Sequence, residues 1–576
     1  MKRRNFIRKV PLVAGAPFAV GGVPVKLFAQ QNAITRMAQQ STNDKVLVIL
    51  QLHGGNDGLN AVIPVEQYDT YYSRRANIAI PAKSGVRRMI ELDRTLASPD
   101  QVGLHPDMID MKELYDMGRM KIVQGVSYER NNGSHFRGRD IWFMGGGFDD
   151  FFSSGWVGRY LQQEFAPLTY PDQFPNEDMP DPLAIEMGND VSLIFHQSGN
   201  IPTSISLGSD PESLANLIDQ LEGFEDEGLD PRGRPPEFLN NSPYGKELNW
   251  ILGLEDKSEE YAGRLVEVYQ NASSTTVTYP ERYPFNAPRG SLRNGLSGQL
   301  QLVARLLDGG GAGLGVKTKV FLLRIGGFDN HAGQVESYDP TMGVHAARLY
   351  HIASAMKAFQ ADLRTRGIED KVLTLTTSEF GRRITSNGSF GTDHGTGAPM
   401  FIFGRGVTPG MLGTNPDLSP GINNVSMQFD YRRIYANLLH DWMGVDKETI
   451  TNDIFFNNFI DGTDTNGNQL AALDLANSDF ITSTGDFVAK RFKLNDCYPN
   501  PARNKTRISY QVNAVTHVRV SILDQKGNLV KDIVNEQKVP GEYETEVDLS
   551  KLTAGVYLYR LETGIINETK KLVVKD

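Results

Sequence analysis

A chain of 576 residues, 40% hydrophobic and 22% charged, with 57 glycines and 29 prolines, has material for two or three cored domains and the loop content of a globular fold. Its formal charge of -10 excludes a general polyanion binder, because non-specific nucleic-acid affinity comes from basic surface. A single cysteine, Cys497, excludes an internal disulfide framework and any thiolate-rich metal centre.

Residues 1–30 have the three parts of a removable export signal. Lys2, Arg3, Arg4, Arg8 and Lys9 are basic, a weakly apolar run extends from Pro11 to Val25, and the segment ends near Phe28 and Ala29. Arg3-Arg4-Asn5-Phe6-Ile7 resembles the twin-arginine address, which implies the twin-arginine translocase as a partner and passage of an already folded chain. A basic tail on a cytoplasmic protein is the plain alternative. No other apolar stretch approaches spanning length, so the mature protein is expected to have no integral membrane segment. A polar linker follows over residues 31–44.

Lys45 to Leu50 is a continuous apolar run, read as a buried strand. It leads into Gln51-Leu52-His53-Gly54-Gly55-Asn56-Asp57-Gly58. The layout recurs at Lys319 to Ile325, followed by Gly326-Gly327-Phe328-Asp329-Asn330-His331, and at Lys371 to Thr377, followed by Ser378-Glu379-Phe380-Gly381-Arg382. Between the last two, Leu349, Ile352, Met356, Phe359 and Leu363 fall at helical spacing. Strand, polar loop, helix and strand in that order predict a mostly parallel sheet covered by helices. Such sheets gather ligands outside the C-terminal ends of their strands, where all three polar clusters would sit.

Short runs between Gly188 and Leu207 suggest extra strands or an insertion, and residues 200–290 read as loops with a few helices. Gly309 to Gly315 precedes a strand instead of following one, which fits a helix-to-strand connection better than a phosphate loop. Asp430 to Trp442 reads as an amphipathic closing helix capped by Asp430. Residues 451–494 read as a linker, in which Asp461 to Asn468 is either solvated or a site for calcium. Beyond Asn495, alternating Val518, Val520 and Ile522, a turn at Asp524 to Asn528, and the runs at Gly555 to Arg560 and Lys571 to Lys575 predict a small β-sandwich.

The candidate chemistry lies in the strand-end clusters. Asp57, Asp329, His331, Glu379, Asp393 and His394 offer carboxylate and imidazole donors without thiolates, a set that suits zinc, manganese, magnesium or calcium. The competing reading makes these Gly-rich loops simple turns. In Ser134-His135-Phe136-Arg137-Gly138-Arg139, Ser134 is a nucleophile, a helix cap or both, and His135 is a ligand or a base. Arg137 and Arg139 are candidates to hold an oxyanion.

Taken together, His53 to Gly58, Ser134-His135, Gly326 to His331, Ser378 to Arg382 and Asp393-His394-Gly395 resemble the DUF1501 family, a sulfatase-like relative of the alkaline phosphatase superfamily. The resemblance implies an alkaline-phosphatase-like three-layer α/β fold over residues 45–450, with helices on both faces of the sheet. It also implies two metals, one at Asp57 and Glu379 and the other at Asp329, His331 and His394, with Ser134 as nucleophile. The superfamily commonly has Asp-His after the third strand, where this chain has Glu379-Phe380. Residues 495–576, with Tyr498-Pro499-Asn500-Pro501, Gly527-Asn528-Leu529-Val530 and Gly555 to Tyr559, resemble the type A sorting domain of the type IX secretion system of Bacteroidetes. That implies passage through the periplasm to the cell surface or beyond, with the secretion machinery as a partner. The expected function is metal-dependent hydrolysis of phosphate or sulfate esters on a small molecule or a glycan. The alternative is a secreted, non-catalytic protein that binds a metal or an anion.

Overall fold

The computed structural model describes residues 18–20, 23–25, 44–82, 85–188, 191–208, 242, 257–258, 260–311, 313–476, 493–512, 516–539, 541–563 and 567–575. The twin-arginine segment and most of the 200–290 stretch lie outside them. Residues 1–43 form a separate unit, in which Phe18–Val20 and Val23–Val25 pair antiparallel. Among the described residues no helix is long and apolar enough to cross a membrane.

The main body is built on a nine-stranded sheet. Its principal elements, in chain order, are β1 (Val46–Leu52), α1 (Ile109–Asp116), β2 (Met120–Ser127), α2 (His135–Met144), α3 (Trp156–Glu164), β3 (Ala184–Met187) and β4 (Ser204–Leu207). They continue with α4 (Gly295–Asp308), β5 (Val320–Ile325), α5 (Val344–Thr365), β6 (Val372–Thr377), β7 (Arg382–Ser386), β8 (Thr392–His394), β9 (Ala398–Phe403), β10 (Gly410–Leu412) and α6 (Tyr431–Asp441). The strand order is β4-β3-β5-β1-β6-β9-β2-β10, with Phe429–Asp430 also paired to β2. Every pairing is parallel except the two made by β9. β7 and β8 form a separate antiparallel pair above the sheet's edge.

The three expected strands, β1, β5 and β6, are direct neighbours at the centre. β1 is apolar throughout because it is covered on both faces. Val46, Val48, Leu50 and Leu52 pack with α1, α4 and α5, whereas Leu47 and Ile49 pack with α2, α3 and α6. That alternation makes three layers. The periodic residues of α5, from Leu349 to Leu363, are buried as expected. Asp430 caps α6, its carboxylate accepting from Arg432 N at 2.9 Å.

Two local readings change. Leu193–Phe195 is a 3-10 turn, and the added sheet strands are β3 and β4 on either side of it. Residues 451–476 are not a solvated linker: Ile454, Phe455, Ile460, Leu473 and Leu475 are buried against α6 and its neighbours. The calcium-like run makes a local turn, in which Asp464 accepts from the backbone of Asn466 and Asn468. At the C-terminus, a three-stranded and a four-stranded antiparallel sheet share one core that includes Ile508, Val520, Tyr559 and Leu572, the predicted sandwich.

Candidate metal centre

The site lies above the C-terminal ends of β1, β5 and β6, and each of its parts is placed by a local feature of sequence. Ser134 caps α2, its hydroxyl accepting from Arg137 N at 3.3 Å, and this sets His135 at the first helical position. A Cβ at Gly138 would lie 3.2 Å from Glu379 O, so the missing side chain lets α2 rest on the loop after β6. At Gly54, φ is 122° and a Cβ would meet Asp329 N at 2.3 Å. Glycine there lets the loops after β1 and β5 close together.

Three imidazoles are oriented by what their Nδ1 atoms touch. His135 Nδ1 lies 2.8 Å from Glu379 Oε1, His394 Nδ1 lies 2.6 Å from Gly133 O, and His331 Nδ1 lies 3.5 Å from Asp393 Oδ1. Carbonyl and carboxylate oxygens accept, so in neutral His135 and His394 the proton belongs on Nδ1 and the lone pair on Nε2, while His331 faces a carboxylate at each nitrogen. All three Nε2 atoms then face Asp329 Oδ1, at 3.4 Å from His135, 3.2 Å from His331 and 3.4 Å from His394. His331 Nε2 and His394 Nε2 are 2.8 Å apart, a repulsive contact between two lone pairs unless a proton or cation lies between them.

These donors fit a metal ion. Bonds of about 2.0–2.2 Å to zinc place tetrahedral ligands roughly 3.3–3.6 Å apart. The three contacts to Asp329 Oδ1 are 3.2–3.4 Å and the His331–His394 pair is 2.8 Å, and among the described residues the donors of His135, Asp329 and His394 all lie within 4.8 Å of one another. Among the described residues His135 Nε2 is buried with no hydrogen-bond partner, which is costly for a polar atom without a ligand. The carboxylate and carbonyl behind each imidazole are the outer contacts that fix metal-binding histidines elsewhere.

Arg382 supplies the fixed positive charge. Its side chain is fully buried and donates to Asp329 Oδ1 at 2.8 Å, Thr392 O at 2.9 Å and Gly55 O at 2.9 Å. Burial pushes the Asp329 carboxyl up, but its hydrogen bond from Arg382 and that residue's charge overcome this and bring it down to about 2. The His135 pKa is raised, chiefly by its hydrogen bond to Glu379. The His394 pKa is lowered by burial and then by Arg382. That of Asp393 is lowered chiefly by a hydrogen bond from Asn387.

Of the residues expected from sequence, His135, Asp329, His331, Glu379, Asp393 and His394 meet. Asp57 is held apart: its oxygens accept from Arg75 Nη1 at 2.9 and 3.2 Å and from Gln334 Nε2 at 2.6 Å. The opposing charge outweighs burial, and its carboxyl is held below the usual range. Arg137 donates to Phe148 O at 2.6 Å and Asp150 O at 2.5 Å, and its guanidinium stacks 3.9 Å from the Phe151 ring. Its charge therefore organises a loop. Arg139 Nη2 lies 3.7 Å from Oδ1 of its neighbour Asp140.

Two site residues had no assigned role in the sequence reading. Arg382 closes the third motif and is followed directly by Arg383, so no sequence signal told the buried arginine from its neighbour. His53 opens the first motif. Its Nδ1 is a buried atom 3.8 Å from Glu379 Oε1, and among the described residues neither it nor Glu379 Oε2 has a hydrogen-bond partner.

Several solved structures are similar to this chain. An alkaline phosphatase superfamily protein from Vibrio parahaemolyticus has 10% identity and a TM-score of 0.30, over 88% of this chain and 79% of that one. The PsFucS1 sulfatase from Pseudoalteromonas sp. has 12% identity and a TM-score of 0.29, over 91% and 89%. A phosphonate monoester hydrolase from Silicibacter pomeroyi has 11% identity and a TM-score of 0.23, over 92% and 88%. No curated protein matches the sequence. Residues 261–471 match the family described as protein of unknown function (DUF1501), and residues 496–575 match the secretion system C-terminal sorting domain.

Proposed function

We propose that this protein is an exported, metal-dependent hydrolase of phosphate or sulfate esters. The observation that carries the reading is the convergence of His135, His331 and His394 Nε2 on Asp329 Oδ1, with every Nδ1 already facing an acceptor. Three imidazoles and a carboxylate are a donor set for zinc rather than for calcium or magnesium. When bound, such an ion polarises an ester oxygen and favours ionisation of a nearby hydroxyl or water.

The chain's own residues supply the rest. Glu379 orients His135 through Oε1, and its Oε2, buried without a partner among the described residues, is the candidate to accept a proton from the attacking group. Ser134 sits between Gly133, whose carbonyl holds His394, and His135 itself. That position supports it as the nucleophile candidate, with a water as the competing one. The ester class comes from the sequence resemblance to the sulfatase-like family. Export is supported by the sorting tail, with the type IX machinery as partner, and by the twin-arginine segment.

The test is hydrolysis of an aryl phosphate and an aryl sulfate by the metal-loaded full chain, with and without chelator and in Asp329→Ala. Turnover abolished by both treatments is expected. Retention of the metal with no turnover of either ester would instead identify a non-catalytic binding protein.

A further inference from the structure

We infer that Arg75 takes the place of a second cation at Asp57, so that the site holds one divalent ion per chain and Asp57 acts as a positioning residue. This goes beyond the hydrolase proposal and rests on its reading of the imidazole cluster as a metal centre.

The family resemblance implied a metal between Asp57 and Glu379, and the donors there do not fit one. Both oxygens of Asp57 are already engaged, Oδ1 by Arg75 at 2.9 Å and Oδ2 by Arg75 at 3.2 Å and Gln334 at 2.6 Å. The side chains of Arg75 and Asp57 are 1% and 2% exposed. Arg75 is also fastened by Asn60 Oδ1 at 3.0 Å and Arg383 O at 3.3 Å. Asp329 also accepts from a buried guanidinium, but through Oδ1 and with half of its side chain exposed; at the fully buried Asp57 both oxygens are engaged, and a metal there would have to expel Arg75 and leave that cation unpaired in the interior. Glu379 turns its Oε1 to Gly54 N and His135 Nδ1, both at 2.8 Å. What remains, Glu379 Oε2 and His53 Nδ1, is two donors, fewer than the three protein ligands of ordinary catalytic zinc sites.

The Asp57 pair reaches the centre by another path. Gln334, which donates to Asp57, accepts from Thr392 Oγ1 at 2.9 Å, and Thr392 begins β8, the strand that carries His394. Thr392 N in turn donates to Asn330 O at 3.0 Å, between Asp329 and His331. The charge pair thus holds the backbone of three of the four ligands in register, and its effect on the metal passes through geometry.

The experiment is metal stoichiometry on the chelator-stripped full chain reloaded with zinc and, separately, with cobalt, whose visible absorption reports ligand geometry. One ion per chain is expected. Asp57→Asn is expected to keep that ion and the cobalt band positions while binding about tenfold more weakly, the effect of losing an outer contact. Two ions per chain, one of them lost in Asp57→Asn, would overturn the inference while leaving the imidazole centre intact. If Asp57→Asn does not fold, the wild-type count decides alone, two ions overturning the inference and one supporting it. Failure of the wild type to retain any ion would overturn both the inference and the reading on which it rests.

Discussion

Glu379 and His135 are joined by a 2.8 Å contact between Oε1 and Nδ1, and the same oxygen accepts the amide of Gly54. A carboxylate in this place raises the basicity of the opposite ring nitrogen and fixes the ring's direction. Glu379→Gln keeps an acceptor but removes the charge, and metal affinity should fall by about 10–100-fold. Competition against a chromophoric chelator measures it. An unchanged affinity would mean that His135 is not a ligand.

Metal affinity should decline with falling pH, because an imidazole must be neutral to bind. The His135 pKa is raised above its ordinary value of 6.5 by Glu379, so the decline should begin above that pH. In Glu379→Gln it should begin lower. Titration of zinc affinity between pH 5 and 8, a window of about three units around the imidazole range, checks both.

The apoprotein should show an acid transition of its own. Asp329 is lowered to about 2 in the folded chain, from an ordinary 3.8. A depressed carboxyl contributes stability that is complete above its unfolded pKa and is lost as pH falls through the folded one. The thermal midpoint of the metal-free chain should therefore drop between about pH 4 and pH 2, and less steeply in Asp329→Asn. Asp329 is half exposed, so solvent screening keeps the difference modest.

Arg137→Ala should destabilise the fold by about 1.5–3 kcal/mol, the range for charged hydrogen bonds, because its contacts are the carbonyls of Phe148 and Asp150. Bound metal should be unchanged. Denaturant unfolding together with metal analysis tests the pair of outcomes. Loss of metal without loss of stability would place Arg137 in the site after all.

Much of this centre was legible in sequence because a parallel sheet collects the C-terminal ends of its strands. Three apolar runs, each followed by Gly and polar residues, therefore predicted one meeting place for Asp329, His331 and Glu379. The fate of Asp57 was not legible. Its partner Arg75 lies on a short separate segment, and nothing in the spacing distinguishes a buried arginine from a surface one. The role of Arg137 was hidden similarly, since a guanidinium that serves carbonyls and one that serves an anion have the same sequence. Residues 451–476 were misread because Ile454, Ile460 and Leu475 are scattered among polar residues with no helical or strand period. Their burial comes from the shape of the neighbouring helices.

Export should be separable from folding. The sandwich has its own core, so a chain lacking residues 495–576 should keep its metal and remain in the periplasm. Replacing Arg3 and Arg4 by lysine should retain the whole chain in the cytoplasm. Cell fractionation reads both, and normal release of both variants would contradict the export route.

The most direct test is X-ray absorption at the zinc edge of the loaded full chain. The account predicts a first shell of three nitrogens and one or two oxygens at about 2.0–2.2 Å, with the outer scattering of imidazole rings, and loss of one ring's contribution in His394→Ala. A shell of oxygens alone, or an imidazole signal unchanged in His394→Ala, would contradict it.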